Sequence, residues 1–246
     1  MLSNLCTDLA DGTLSGMPAH RTARERARAE LTAAIKDEAR SQLGKQGADG
    51  LSLRAVAREL GMVSSALYRY FPSRDDLLTA LIIDAYNALG DAVEKAAAGH
   101  ETPRERWRAA CHGLRAWALA NRHEYSLLYG TPIPGYRAPL DTVTPATRVP
   151  AVFIGAVRDA WRAGETKPPF EGPEMSPELR EQLRGIRDQL APDLPEEILA
   201  RAFIAWVQLF GMVGFELGGQ FANTVDPADE FFTHTVEQLT LFVGLG

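Results

Sequence analysis

"LSLRAVARELGMVSSALYRYFPSRDDLL", residues 51–78, decides how the rest of the chain is read. Its first part sets Leu53, Val56, Ala57 and Leu60 at the spacing of one helical face, behind Ser52, a good N-cap. Gly61 supplies a turn and a second short helix follows. After Pro72, Ser73 caps a longer helix with Asp75 and Asp76 in its first turn, where acids complement the helix dipole. In the middle helix Leu67 and Phe71 define an inward side. At about 100° per residue, Ser65 and Arg69 then project the opposite way, with Ala66 and Tyr68 on the flanks and Tyr70 near the boundary. Such side chains hydrogen-bond and stack but add little to a core. Their face is expected to meet something outside the fold.

Two helices around a tight turn, the second with a polar and cationic outer face, have the layout of a helix-turn-helix. One helix braces across a nucleic-acid backbone while the next enters the major groove, about 12 Å wide. Base edges are read by groups such as an Arg fork or a Tyr hydroxyl. Phosphates call for hydroxyls, N–H groups at helix starts and cations, which Ser52, Tyr68 and Arg74 offer. The charge distribution agrees. The 246-residue chain has a net charge of −6, yet residues 20–74 hold eleven Lys and Arg against six Asp and Glu, a local net of +5. Residues 75–246 carry −9. A basic head on an acidic body is the pattern of a DNA-binding unit attached to something else.

The remainder reads as helix upon helix. Residues 21–44 hold strong helix formers with apolar Ala27, Leu31, Ala34, Ile35 and Leu43 at helical spacing. The helix after Ser73 carries Leu77, Leu78, Leu81, Ile82, Ala85, Leu89 and Val93 inward. Further helices are expected at about 103–121, 123–129, 146–163, 177–190, 195–219 and 227–243. No segment alternates with the period of a strand, so the fold class is all-α. Residues 1–19 read as a flexible tail, 20–75 as the helix-turn-helix domain and 76–246 as a larger helical domain. Met17 would itself make a sensible start. Two proline-rich loops, 130–145 and 164–177, interrupt the body, and loops of that length are often functional.

Other classes find little support. Cys6 and Cys111 form no CxxC pair and no disulfide framework, which fits a reducing cytosol. The N-terminus lacks the features of a secretory signal, and no run of about 18 uninterrupted apolar residues suggests a membrane span. A cytoplasmic protein without a membrane partner is expected. His123-Glu124 does not start an HExxH motif, because position 127 is Leu127, and there is no GxSxG, P-loop or Gly-rich dinucleotide turn. Five scattered histidines and two cysteines give no metal spacing. His112 and Cys111 are chain neighbours on a helix and diverge by about 100°, so adjacency makes no dyad. No enzyme activity, cofactor or metal is expected. A helical enzyme and a helical interaction adaptor without DNA binding are the alternatives, and neither gives the basic head a purpose.

Residues 21–80, with the run Leu67-Tyr68-x-x-Phe71-Pro72-Ser73-Arg74 and the following Leu77-Leu78, resemble the DNA-binding segment of the TetR (tetracycline-repressor-like) family of bacterial transcription regulators. The resemblance implies base contacts from Arg54, Ser64, Ser65, Tyr68, Arg69 and Tyr70. It implies phosphate contacts from Ser52, Tyr68 and Arg74, with Arg21 a further candidate. Two positions depart from the family pattern. Val63 stands where a Ser N-cap is common, which would let Ser64 take the cap. Ala66 replaces a common Thr and leaves a methyl that can touch thymine.

The middle segment, with Leu127-Leu128-Tyr129-Gly130-Thr131-Pro132 and Pro134-Gly135-Tyr136, resembles the effector domain of one TetR subgroup, which implies a ligand cavity among the middle helices. Trp107, Trp117, Tyr125, Tyr129, Phe153, Trp161 and Trp206 are candidates to line it, with His112 and Arg115 as polar anchors for an apolar or amphipathic small molecule. In the family the last two long helices pair between subunits. Here they are apolar enough to suit a homodimer through Phe203, Phe210, Gly211, Gly214, Phe215, Gly218, Phe232, Val236 and Leu239. The combined expectation is a homodimeric repressor that binds double-stranded operator DNA under control of a small molecule.

Overall fold

A computed structural model describes residues 22–168 and 170–246, so the expected tail and Arg21 lie outside the described residues. The described residues form ten α-helices and no strand. Helix α1 (Ala23–Gln46) begins at Thr22 with a reciprocal capping box to Glu25 and buries Ile35, Ala39 and Leu43. Helix α2 (Leu53–Glu59) follows Ser52, whose hydroxyl accepts from the Ala55 N–H. At its end Gly61 adopts φ +63°, and the Met62 and Gly61 N–H groups donate to the Ala57 and Arg58 carbonyls. This closing motif needs a residue free to take a positive φ, which glycine supplies.

Helix α3 (Ser64–Leu67) is shorter than its sequence suggests: one α-helical turn, continued to Phe71 by tight turns such as Tyr70 N–H to Leu67 O at 2.8 Å. Leu67 and Phe71 point inward and join Leu53, Val56, Leu77, Leu78 and Leu81 in one buried cluster, the core of the head.

Helix α4 (Arg74–Ala97) serves both parts of the molecule. Its first half fills the head, and its second half puts Leu89, Val93 and Ala97 into the body. At about 1.5 Å per residue this helix spans about 36 Å, a rod long enough to join two cores. Lys36 and Arg40 of α1 both bond Asp84 of α4, at 2.9 and 2.8 Å, which fixes the head's angle on the rod.

The body adds α5 (Pro103–Ala120), α6 (Arg122–Tyr129), α7 (Val143–Arg162), α8 (Pro177–Leu190), α9 (Glu196–Leu217) and α10 (Asp229–Phe242). Pro150 lies within α7 and removes one helical N–H donor. Trp107, Leu114, Val157, Leu199, Leu209 and Phe232 are among its fully buried side chains. Both long loops are anchored. Ile133 and Tyr136 of the first pack on the head core, and the Tyr136 hydroxyl bonds Thr79 of α4 at 2.9 Å. The second is pinned by buried Arg201, which lies over the Phe170 ring at 4.7 Å and donates to the Phe170 carbonyl.

Helix α9 modifies the membrane expectation. It is the one described helix long and apolar enough to cross a bilayer, and 44% of its most apolar window is buried inside the protomer. Arg201 and Gln208 interrupt the apolar run between the two glutamates of its first turn and Glu216, which is why the sequence shows no uninterrupted apolar stretch.

Candidate nucleic-acid interface and the body behind it

The outer face of the head assembles much of the expected set. Arg54 on α2 and Ser65, Tyr68 and Arg69 on and after α3 are exposed, Tyr68 at 42%. Leu51, Ser52, Leu53, Arg54, Tyr68, Pro72, Ser73 and Arg74 line a concave notch of about 470 Å³ between the start of α2 and the start of α4. Cationic and hydroxyl groups around a notch beside an exposed helix tip suit a sugar-phosphate strand. Ser64 and Ala66 sit half-buried at the edge of this face.

Three details differ from the sequence reading. Val63 is the N-cap of α3 with no side-chain cap, so Ser64 does not take over that role; it is the first helical residue, with its hydroxyl uncommitted among the described residues. Tyr70 turns away from the outer face. It packs on the head core, and the Arg28 guanidinium covers its ring at 5.1 Å, because the chain tightens after Leu67 and rotates position 70 inward. Arg74 is a clamp. Its Nη2 donates to the Ala48 carbonyl at 2.8 Å and its Nε to the Leu51 carbonyl at 3.3 Å, so two of its five N–H donors hold the α1–α2 connection.

Behind the head, Phe153, Ile154, Pro150 and Thr147 of α7, Leu190 of α8, and Ala202, Phe203 and Trp206 of α9 line a cavity of about 130 Å³. Among the described residues, no charged side chain lines it. Of the expected ligand residues, Phe153 and Trp206 are in its wall. Trp107 forms a second layer, edge-on to Phe153 at 5.0 Å. The others are elsewhere. His112 lies edge-on to Phe232 of α10, on the other side of the core, and burial, then Arg108 and Arg115, lower its pKa. Arg115 is consumed by Glu216, at 2.7 and 2.6 Å, and Asp229 at 2.9 Å, tying α5 to α9 and α10. Trp117 packs against the body core and Trp161 is exposed at the end of α7. Cys111 is fully buried, and burial pushes its thiol far up, leaving a neutral packing group.

Tyr125 and Tyr129 belong to an aromatic chain that starts at the cavity. Phe203 meets Trp206 at 5.9 Å, Trp206 meets Phe210 at 5.3 Å, and Phe210 meets Tyr129 of α6 at 4.6 Å. The Tyr125 hydroxyl donates to the Phe210 carbonyl at 2.9 Å. The other side of α6 faces the head: Leu127 packs on the head core, and His123 lies beside Gly44 of α1.

The expected dimer residues divide into three groups. Phe232, Val236 and Leu239 are buried within the protomer and have no surface left for a partner. Phe203, Phe210 and half-buried Gly214 turn toward α6, α7 and the cavity. Gly211, Phe215 and Gly218 are exposed. Ile204 and Val207 complete an outward stripe with Gly211 and Phe215, and Phe231 and Leu241 stand exposed on α10. Val207 is 62% and Phe215 58% exposed. Phe215, Phe221 and Phe231 form a continuous row, at 6.3 and 5.7 Å between successive rings.

A basic helix-turn-helix head carried on a long helix shared with a larger all-helical body defines a class, the helix-turn-helix transcription regulators. Comparison with known proteins narrows it. The family described as bacterial regulatory proteins, tetR family, matches residues 35–81, and the tetracyclin repressor-like C-terminal domain matches residues 107–239. The HTH-type transcriptional regulator Rv1816 of Mycobacterium tuberculosis is 37% identical over 220 residues, covering 86% of this chain and 92% of that protein. A crystal structure of SCO4313, described as a regulatory protein, superposes with a TM-score of 0.74 at 37% identity, over 89% of this chain and 98% of the other. A protein from Rhodococcus sp. RHA1 superposes at 0.64 with 26% identity, over 91% and 97%. The chain belongs to the tetracycline-repressor-like family of transcription regulators.

Proposed function

We propose that the chain is a homodimeric cytoplasmic repressor, without enzymatic activity, whose hold on double-stranded operator DNA is set by a small molecule in the α7–α9 cavity. One observation carries the DNA-binding part: Arg54, Ser65, Tyr68 and Arg69 stand outward while Leu67 and Phe71 of the same segment fill the head core. Phosphate positioning falls to Ser52, Tyr68 and the helix starts around the notch, and base reading to Arg54, Ser65, Tyr68 and Arg69.

Support for the dimer comes from the stripe Ile204, Val207, Gly211 and Phe215 with the Phe231 side of α10, an apolar surface whose Gly211 gives room for close helix approach. Two copies joined there form a four-helix interface and present two heads to one two-fold symmetric operator. Support for ligand control comes from the cavity. Its volume is near that of an engineered cavity of about 150 Å³ that holds benzene, and its uncharged wall favours an apolar molecule or the apolar part of an amphipathic one. The ring row from Trp206 through Phe210 to Tyr129, continued by α6 onto α1, is a packed connection through which a filled cavity shifts the head.

The test is a salt titration on a selected operator and on random duplex of the same length. A regulator loses affinity steeply with salt on both and keeps an added, sequence-dependent margin on operator. Flat salt dependence, or equal affinity for both duplexes, refutes the proposal.

A further inference from the structure

The tip of α3 carries a side chain that local energetics disfavour. Val63 is the N-cap, with φ −72° and ψ 137°, and contributes no cap hydrogen bond. Valine is among the poorest N-cap residues, whereas Ser, Thr, Asp or Asn would satisfy a free N–H of the first turn. Nor does burial compensate. Val63 is 70% exposed, and among the described residues only Leu140 is a more exposed large apolar side chain. The chain therefore forgoes a cap and keeps an apolar group in water, at the end of the helix that enters the groove.

Its neighbours bear on what that group meets. Ser64 and Ser65 follow it, and Ala66, one turn on and half-buried, closes the turn through its N–H to the Val63 carbonyl at 2.9 Å. Val63 and Ala66 thus form a small methyl-bearing edge beside hydroxyls and the Arg69 cation. Base edges in the major groove are lined with hydrogen-bonding groups except at one feature, the thymine 5-methyl. A valine can neither donate nor accept, so its discrimination between bases works only through that methyl.

We infer that Val63, together with Ala66, selects a thymine in each operator half-site by apolar contact with its 5-methyl group. The inference rests on the reading of the head as an operator-binding domain. It adds a specificity-determining residue at a position where the resemblance led to a capping serine.

The experiment begins with full-length protein and selection from a randomised duplex library. Failure to enrich any sequence counts against the DNA-binding reading itself. With an enriched operator, each thymine is replaced singly by deoxyuridine, which removes only the methyl, and affinity is measured for the parent and Val63→Ala. The parent is expected to lose about fourfold at one thymine per half-site, the worth of one buried methyl-sized group, and about fifteenfold when both half-sites are changed. Val63→Ala should lose that sensitivity while keeping its response at any other thymine. Because the side chain is exposed, the variant's melting temperature should match the parent's. Identical uracil profiles for the two proteins overturn the inference, as does an operator with no methyl-sensitive thymine.

Discussion

Replacing Arg74 separates two roles that its sequence position leaves mixed. In the structure its guanidinium donates at 2.8 Å to the Ala48 carbonyl and at 3.3 Å to the Leu51 carbonyl, with a looser approach to Asp75 at 3.7 Å. Hydrogen bonds with one charged partner contribute about 1.5–3 kcal/mol each. One of these is long and the side chain is 31% exposed, so about 2 kcal/mol for the pair is reasonable. In a protein of this size each kcal/mol moves the melting temperature by about 2–4 °C. Arg74→Ala should therefore melt about 4–8 °C lower. Arg74→Lys keeps the charge but not the fork, and should recover less than half of that loss. A phosphate contact predicts something else. Losing one in each half-site would flatten the slope of log K against log salt by about 1.8. The clamp predicts an unchanged slope with affinity reduced alike on operator and random DNA. Thermal melting and a salt series on both variants decide it. An unaltered melting temperature with the flattened slope would refute the clamp.

Four further outcomes are expected. Arg69→Ala should cost about 1–3 kcal/mol on operator and relax one base position, if the exposed guanidinium forks a guanine; equal losses on random duplex would reduce Arg69 to an electrostatic contact. Val207→Glu puts a carboxylate on the outward stripe of α9 and should convert dimer to monomer in sedimentation, with far-ultraviolet circular dichroism unchanged. Phe210→Ala removes the ring between Trp206 and Tyr129, so ligand should still bind while its effect on operator affinity shrinks several-fold in a coupled titration. His112 has a folded-state pKa below its ordinary 6.5, from burial and then Arg108 and Arg115. The unfolded chain thus binds the proton more readily, so this residue's contribution is full above about pH 6.5 and lost as pH falls below it. Imidazole NMR should place its midpoint below 6.5, and His112→Gln should flatten the melting temperature on that acid side.

Much of the helical plan was legible in the chain itself, because it rests on local chemistry. The caps at Ser52 and Ser73, the turn at Gly61 and the inward phase of Leu67 and Phe71 each depend on neighbours a few residues away. The predicted helices of the body start and end within a few residues of the observed ones, because prolines and glycines punctuate them. The basic head likewise follows from a count of charges.

What the chain did not disclose depends on contacts distant in sequence. Arg74 could be read as a phosphate ligand until Ala48 and Leu51, 26 and 23 residues earlier, were found to accept its protons. Arg115 resembled a ligand anchor until Glu216, 101 residues away, neutralised it. Helix α9 is apolar nearly all round, so periodicity assigns it no phase; only packing against α7, α8 and α10 shows that Trp206 faces the cavity and Val207 the solvent. A one-dimensional pattern states which side chains want cover. Which neighbour supplies that cover, and which face is left for DNA, ligand or a second copy, is decided when the helices pack.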